Sequence, residues 1–224
     1  MAIIGNLPGE RLAGLAADTF HKVQHGIISL DEWALFNQRK NPFAFERNDH
    51  GHIIVTVTGL DLNGAQEIER LEAAGYRLSD LAKSCLLSTA ADGYDAMHTL
   101  VPQHQYQVAL MPGKEIARDS LRTPENLRNT GIKTYGYGKP LGGIMPRIRE
   151  RISDRQMEDM GFRYIAGLHD PIEDSGGDPR VLYAHRLGGG PWVYAGIDRP
   201  GRRWDDGGAF AFLVPASMPS APVA

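Results

Sequence analysis

The residues of this sequence with types suited to chemistry are one cysteine, eight histidines and a band of tryptophan, tyrosine and arginine between Arg186 and Asp206. Cys85 as a thiolate nucleophile would need a base, and His98 or His104 could serve it, with Asp92 or Asp95 sharing in the chemistry. No local signature of a cysteine enzyme surrounds it, so a small buried hydrophobe is the favoured reading. His21 and His25 stand four apart on one helical face, a spacing that suits a metal. The Glu of a zinc-protease motif is missing between them, and no metal is expected. His50 and His52 flank a turn and read as solvated.

Two further clusters invite a ligand. Gly136, Gly138, Lys139, Gly142 and Gly143 suggest a phosphate loop, but Pro140 follows Lys139 where a P-loop needs Ser or Thr opening a helix. The stretch reads as a mobile loop whose Lys139 could touch an anion. Asp170, Glu173, Asp174 and Asp178 surround Gly176-Gly177 and offer hard oxygens for a cation. Their spacing is not that of an EF-hand, and a polar turn between two strands is the simpler reading. No cofactor is expected.

The elements that position these groups follow from local signals. Leu12, Leu15, Ala16, Phe20 and Val23 recur at helical spacing up to Gly26, and Ser29 with Glu32 predicts a capped second helix burying Trp33 and Phe36, ended by Asn41-Pro42. A strand is expected over 43–46, a turn at 48–51 and a β-branched strand over 52–58. Asn63 with Gln66, Ser79, Thr123-Pro124, and Ser153 with Gln156 each predict a helix start. Gly75, Gly131 and Gly161 stop three of these helices. The helix after Ser79 should bury Leu78, Leu81, Ala82, Cys85 and Leu86. Strands are expected over 105–111, 162–168, 181–185, 192–195 and 209–214, with a loop over 135–146 and a frayed tail after Met218.

Composition bounds the answer. The chain has 224 residues and a formal charge of −3, which does not favour nucleic acid as the main partner. Hydrophobic residues at 42% and charged residues at 23% fit a globular protein with a core. A single cysteine allows no intramolecular disulfide. No segment reaches about 18 consecutive apolar residues and no signal peptide is visible, so the default expectation is a cytoplasmic protein, with surface display left open. The fold class expected is α+β: a helix-rich first half with a few strands, then a β-rich part with short antiparallel strands and long loops. The expected division is 1–115, a supporting α/β region, and 116–224, a display domain.

Nine glycines fall between Gly176 and Gly208, so long helices are not expected there. Trp192, Trp204, Phe210 and Phe212 can each bury roughly 150–250 Å² and would anchor such loops as a framework. Between them stand Tyr194, Asp198, Arg199, Arg202, Arg203, Asp205 and Asp206, and Tyr and Arg are the types enriched where binding energy concentrates.

Gly189-Gly190-Pro191-Trp192 and Gly208-Ala209-Phe210-Ala211-Phe212 resemble the end of a C-type lectin-like domain, in which a Gly-Gly-x-Trp stretch precedes a variable loop region and a final Phe-x-Phe strand. The closer resemblance is to the variable proteins of diversity-generating retroelements. In that family a mutagenic reverse transcriptase rewrites surface codons near the end of the gene, and a fixed scaffold displays the changed face. Ala211 stands where Arg is usual in that ending. Trp204-Asp205-Asp206 is similar to the Trp-Asn-Asp of calcium-dependent sugar-binding lectins, but their Glu-Pro-Asn or Gln-Pro-Asp partner is missing, so sugar binding through calcium is not expected. The related formylglycine-generating enzymes need active-site cysteines, and Cys85 alone does not supply them.

The resemblance implies a non-enzymatic ligand-binding protein. Its variable face would hold Pro191, Tyr194, Gly196, Ile197, Asp198, Arg199, Arg202, Arg203 and Asp205. The partner would be a protein or another macromolecule, and self-assembly stays open. The alternatives are a small hydrolase or transferase using Cys85 with His98 or His104, and a structural assembly protein.

Overall fold

The structure, a computed structural model, describes residues 9–37 and 45–215. The chain divides into two compact units, Met1–Phe45 and Glu46–Ala224. In the first, α1 (Gly9–Gln24) and α2 (Leu30–Asn37) are joined by a turn through Gly26, whose φ of 69° lies in the left-handed region. Ser29 caps α2 as its spacing predicts: its Oγ accepts the Glu32 amide at 3.1 Å and the Glu32 carboxylate accepts the Ser29 amide at 2.8 Å. Trp33 meets Phe20 edge-on and is half-buried. Phe36, the Asn41-Pro42 stop, residues 43 and 44 of the strand expected at 43–46 and the tail after Met218 lie outside the residues described in detail, and residues 45 and 46 are not in a strand.

The second unit is an eight-stranded mixed sheet with helices. Its strands are β1 (Ile53–Thr58), β2 (Arg77–Leu78), β3 (Gln105–Pro112), β4 (Tyr164–Gly167), β5 (Ile172–Glu173), β6 (Pro179–Leu187), β7 (Gly190–Ile197) and β8 (Gly208–Leu213). The order is β1-β3-β8-β4-β6-β7-β2, with β5 beside β6. Most neighbours are antiparallel, but β4–β8 and β2–β7 run parallel. The last strand therefore inserts between β3 and β4. The division expected at 115/116 thus falls inside one unit, because β3 from before it and β4 from after it flank the same strand. Val108, Ala109, Leu110 and Met111 are fully buried, as a central strand covered on both faces must be.

One face of the sheet carries α3 (Gly64–Ala73), α4 (Asp80–Leu86) and α6 (Ile144–Arg151). Between them in the chain lies α5 (Pro124–Asn129), and α7 (Asp154–Asp159) follows α6. Ala82, Cys85, Leu86, Ile144, Met145 and Ile148 are fully buried, whereas Leu81, expected among them, is 40% exposed. The opposite face packs Leu127 and Tyr137 against Met111, Phe210 and Phe212.

The capping boxes Asn63–Gln66 and Ser153–Gln156 form as their spacing predicts, because each satisfies amides that a helix start leaves free. The expected loop over 135–146 ends earlier. Pro146 is the third residue of α6, where no helical partner is needed for its nitrogen, so the proline does not break the helix. No helix among the described residues is long and apolar enough to cross a membrane.

Candidate functional site: an aromatic face on the β6–β7 hairpin

Alternation along a strand decides which residues share a face. Tyr183 stands opposite Tyr194, and His185 opposite Trp192, so these four lie on one face of the hairpin together with Gly196. On β4, Tyr164 aligns with His185 and Ala166 with Tyr183, which continues the same face. Pro191 and Ile197 pair with Arg186 and Arg180 and so belong to the other face, away from Tyr194. Their expected place beside Tyr194 is corrected by the two-residue period of the strand.

The four rings are in contact and half-buried. Tyr183 and Tyr194 stack with centroids 5.6 Å apart, and Trp192 lies 5.1 Å from Tyr194. The Arg77 guanidinium sits 5.5 Å above the Trp192 ring, a cation–π distance. Trp192, expected as framework, is thus part of the partly exposed face.

Beneath the rings lies a rigid platform. Trp204 is 8% exposed and meets Tyr183 edge-on at 5.5 Å and Tyr164 at 5.2 Å. A Cβ on Gly208 would sit 2.2 Å from the Tyr164 ring, so only glycine fits there. Arg122 ties the Trp204 loop to the segment before α5. Its carbonyl accepts the Trp204 amide at 2.9 Å, and its guanidinium donates to the carbonyls of Trp204 and Ile116. The Tyr164 hydroxyl donates to the Asp205 carbonyl at 2.9 Å. Trp204, Phe210 and Phe212 are all buried.

The remaining expected face residues divide by what holds them. Asp198 is 9% exposed and receives Arg128 at 2.5 Å, while the same guanidinium donates to the carbonyls of Leu168 and His169. Its carboxylate is engaged inside the fold rather than offered at the surface. Arg199, Arg202, Arg203 and Asp205 are exposed. Arg199 pairs with Asp178, Arg203 with Asp119 at 3.0 Å, and Asp205 with Arg163 at 2.8 Å. The Arg202 charge acts on Tyr183, whose phenol is pushed up first by burial. Burial also holds His185 below the usual histidine range. The indole N–H groups of Trp192 and Trp204 have no acceptor among the described residues.

Tyr183, His185 and Arg77 were not singled out from the sequence. The alternation of Tyr183 and His185 ahead of the Gly188-Gly189 turn was the signal for the first two. Arg77 had none, because its partner strand lies more than a hundred residues away.

The other clusters resolve differently. Cys85 is fully buried and its thiol is pushed up to about 12 by burial, then by Asp174. It makes no hydrogen bond to His98 or His104, and His104 is exposed beside Tyr106. Asp95 accepts the Gly64 amide at the start of α3. No three histidine, cysteine or acidic side chains among the described residues are arranged to hold a metal. The acidic cluster is a polar turn: Asp174 accepts two amides and pairs with Arg180 at 2.7 Å, and Asp178 pairs with Arg180 and Arg199. His52, read as solvated, is 1% exposed. Its ring joins the Tyr137 hydroxyl at 2.7 Å and the Glu115 carboxylate at 3.0 Å, so it fastens the start of β1 to two loops.

Comparison with models of protein families, with curated proteins and with solved structures finds no match to this chain.

Proposed function

We propose that this protein binds a macromolecular ligand through the aromatic face of β6–β7 and the loop that follows it, as a display protein of the kind used by diversity-generating retroelements. The observation that carries the reading is the contact of four half-buried rings, Tyr183, His185, Trp192 and Tyr194, over a buried Trp204 and Tyr164. Rigid aromatics expose contact area at low entropic cost. The platform uses the Trp204 side chain and the loop backbone, while the side chains of Arg199, Arg202, Arg203 and Asp205 are exposed and would be free to change. Arginines at this rim supply forked donors to carboxylates and carbonyls of a partner.

Sequencing the DNA around the gene in many isolates tests the proposal. The expected result is a neighbouring reverse transcriptase and a near-copy of the codons for about residues 185–214, differing at adenines. Substitutions should concentrate at Tyr194, Arg199, Arg202, Arg203 and Asp205 and spare Trp204, Phe210 and Phe212. Uniform substitution along the hairpin, with no such copy, would overturn it.

A further inference from the structure

Beyond the end of β4 the chain runs through Leu168 and His169 to Asp170 and Pro171, which line a cleft of ≈ 580 Å³. Asp92, Met97 and His98, the segment from Lys139 to Leu141, and Glu173 with Pro179 complete it. His98 closes a wide π-turn over 94–98 and is 3% exposed. Its Nδ1 accepts the Gly142 amide at 3.1 Å. An amide can only donate, so Nδ1 carries no proton, and a neutral ring must hold its proton on Nε2. Burial keeps the ring neutral by holding its pKa below the usual range.

His169 packs edge-on against it with centroids 5.0 Å apart and is fixed in the same way. Its Nε2 accepts the Leu182 amide at 2.9 Å and its Nδ1 donates to the Asp170 carbonyl at 2.6 Å. Of the two rings, only the His98 Nε2–H lacks a protein partner among the described residues, and it belongs to the cleft wall. A protonated Nε2 has no lone pair for a metal, so the wall offers a donor.

The charges of the cleft are unbalanced. Lys139 pairs with Asp170 at 2.5 Å, whereas Asp92 and Glu173 are exposed and have no ion pair among the described residues. Asp92 and Asp170 both act electrostatically on His98. Pro140, Pro171 and Pro179 give stiff apolar walls suited to an aliphatic stem.

We propose that this cleft binds an organic cation bearing a carbonyl, the chemistry of an arginine residue. The guanidinium would lie against Asp92 and Glu173, the stem along the prolines, and the carbonyl oxygen would accept from His98 Nε2–H. The ligand is either a segment of a basic peptide or the free amino acid, and the two share this chemistry.

Histidine side-chain NMR of the full chain tests it, with Nα-acetyl-arginine N-methylamide, free arginine and the neutral citrulline analogue of the first as probes. The arginine amide should shift the His98 Nε2 signal saturably. The double variant Asp92→Asn, Glu173→Gln, altered only at exposed positions, should bind roughly tenfold or more weakly. The citrulline analogue should be weakened by a similar factor. Tighter binding of the blocked amide assigns the site to a peptide, and equal binding assigns it to the amino acid. An unmoved His98 signal, equal affinity for the citrulline analogue, or full affinity in the double variant would overturn the proposal.

Discussion

A Cβ on Gly196 would stand 3.0 Å from Cη2 of Trp204, so the middle of the aromatic face rests on a glycine that the buried indole presses from below. This contact sets a limit on what the face can exchange, although Gly196 lies among the residues expected to vary. Gly196→Val should push the indole aside and destabilise the unit by about 1–3 kcal/mol, the usual range for overpacking. Urea unfolding measures the loss, and a shift in tryptophan emission reports the displaced ring. Unchanged stability and emission would mean that the loop carrying Trp204 gives way without cost.

Asp198 and Arg128 supply a second limit. Breaking a buried pair by removing one partner costs about 3–5 kcal/mol. Arg128 keeps two carbonyl acceptors and its side chain is 19% exposed, so Asp198→Ala should cost less, about 1–3 kcal/mol. Arg202→Ala, at an exposed position, should stay within about 0.5 kcal/mol. Denaturant midpoints of the two variants measured side by side check the contrast, and equal losses would contradict it.

These two limits show what could be read in the sequence and what could not. Local signals were sufficient for the helix starts, since Asn63–Gln66 and Ser153–Gln156 satisfy their own amides within four residues. The β-branched run of β1 and the apolar run of β3 were legible for the same reason. The insertion of β8 between β3 and β4 was not, because its register depends on pairings 44 and about a hundred residues away in sequence. Arg128 and Asp198 meet across 70 positions, and nothing near either residue announces the other. Pro191 and Ile197 are a different case. Strand alternation separates them from Tyr194, but that rule needs the strand's extent, and β7 runs beyond the stretch that its residues suggested.

Acid should destabilise the unit from below about pH 6.5, and His169 gives the clearest reason. Burial pushes it down to about 3, while in the unfolded chain it titrates near 6.5. Between those values the unfolded state binds the extra proton, so stability is complete above the higher value and falls as pH drops. The slope is about 1.4 kcal/mol per pH unit for one such histidine. His98 and His185 are lowered too and act in the same direction, whereas Glu67, pushed up by burial, works in the opposite sense near its own range. Asp119, Asp170 and Asp174 are held low, so their contribution is lost only at still lower pH. Unfolding free energies measured between pH 7 and 5 isolate the histidine slope, and a flat profile would be incompatible with a neutral buried His169.

Cys85 gives the test that separates a binding protein from the cysteine-enzyme alternative. A nucleophilic cysteine has a depressed pKa and meets reagents in the native state. This thiol is fully buried and pushed up to about 12, so native protein should react with iodoacetamide only through opening of the fold. Labelling should then be slow and should accelerate with subdenaturing urea as the open population grows. The sign of the shift also means that, above the ordinary thiol range, the unfolded chain loses its proton first and stability falls toward the folded value. Mass spectrometry of timed aliquots follows the modification. Rapid labelling at neutral pH without urea would return Cys85 to the list of reactive groups and revive the hydrolase or transferase reading.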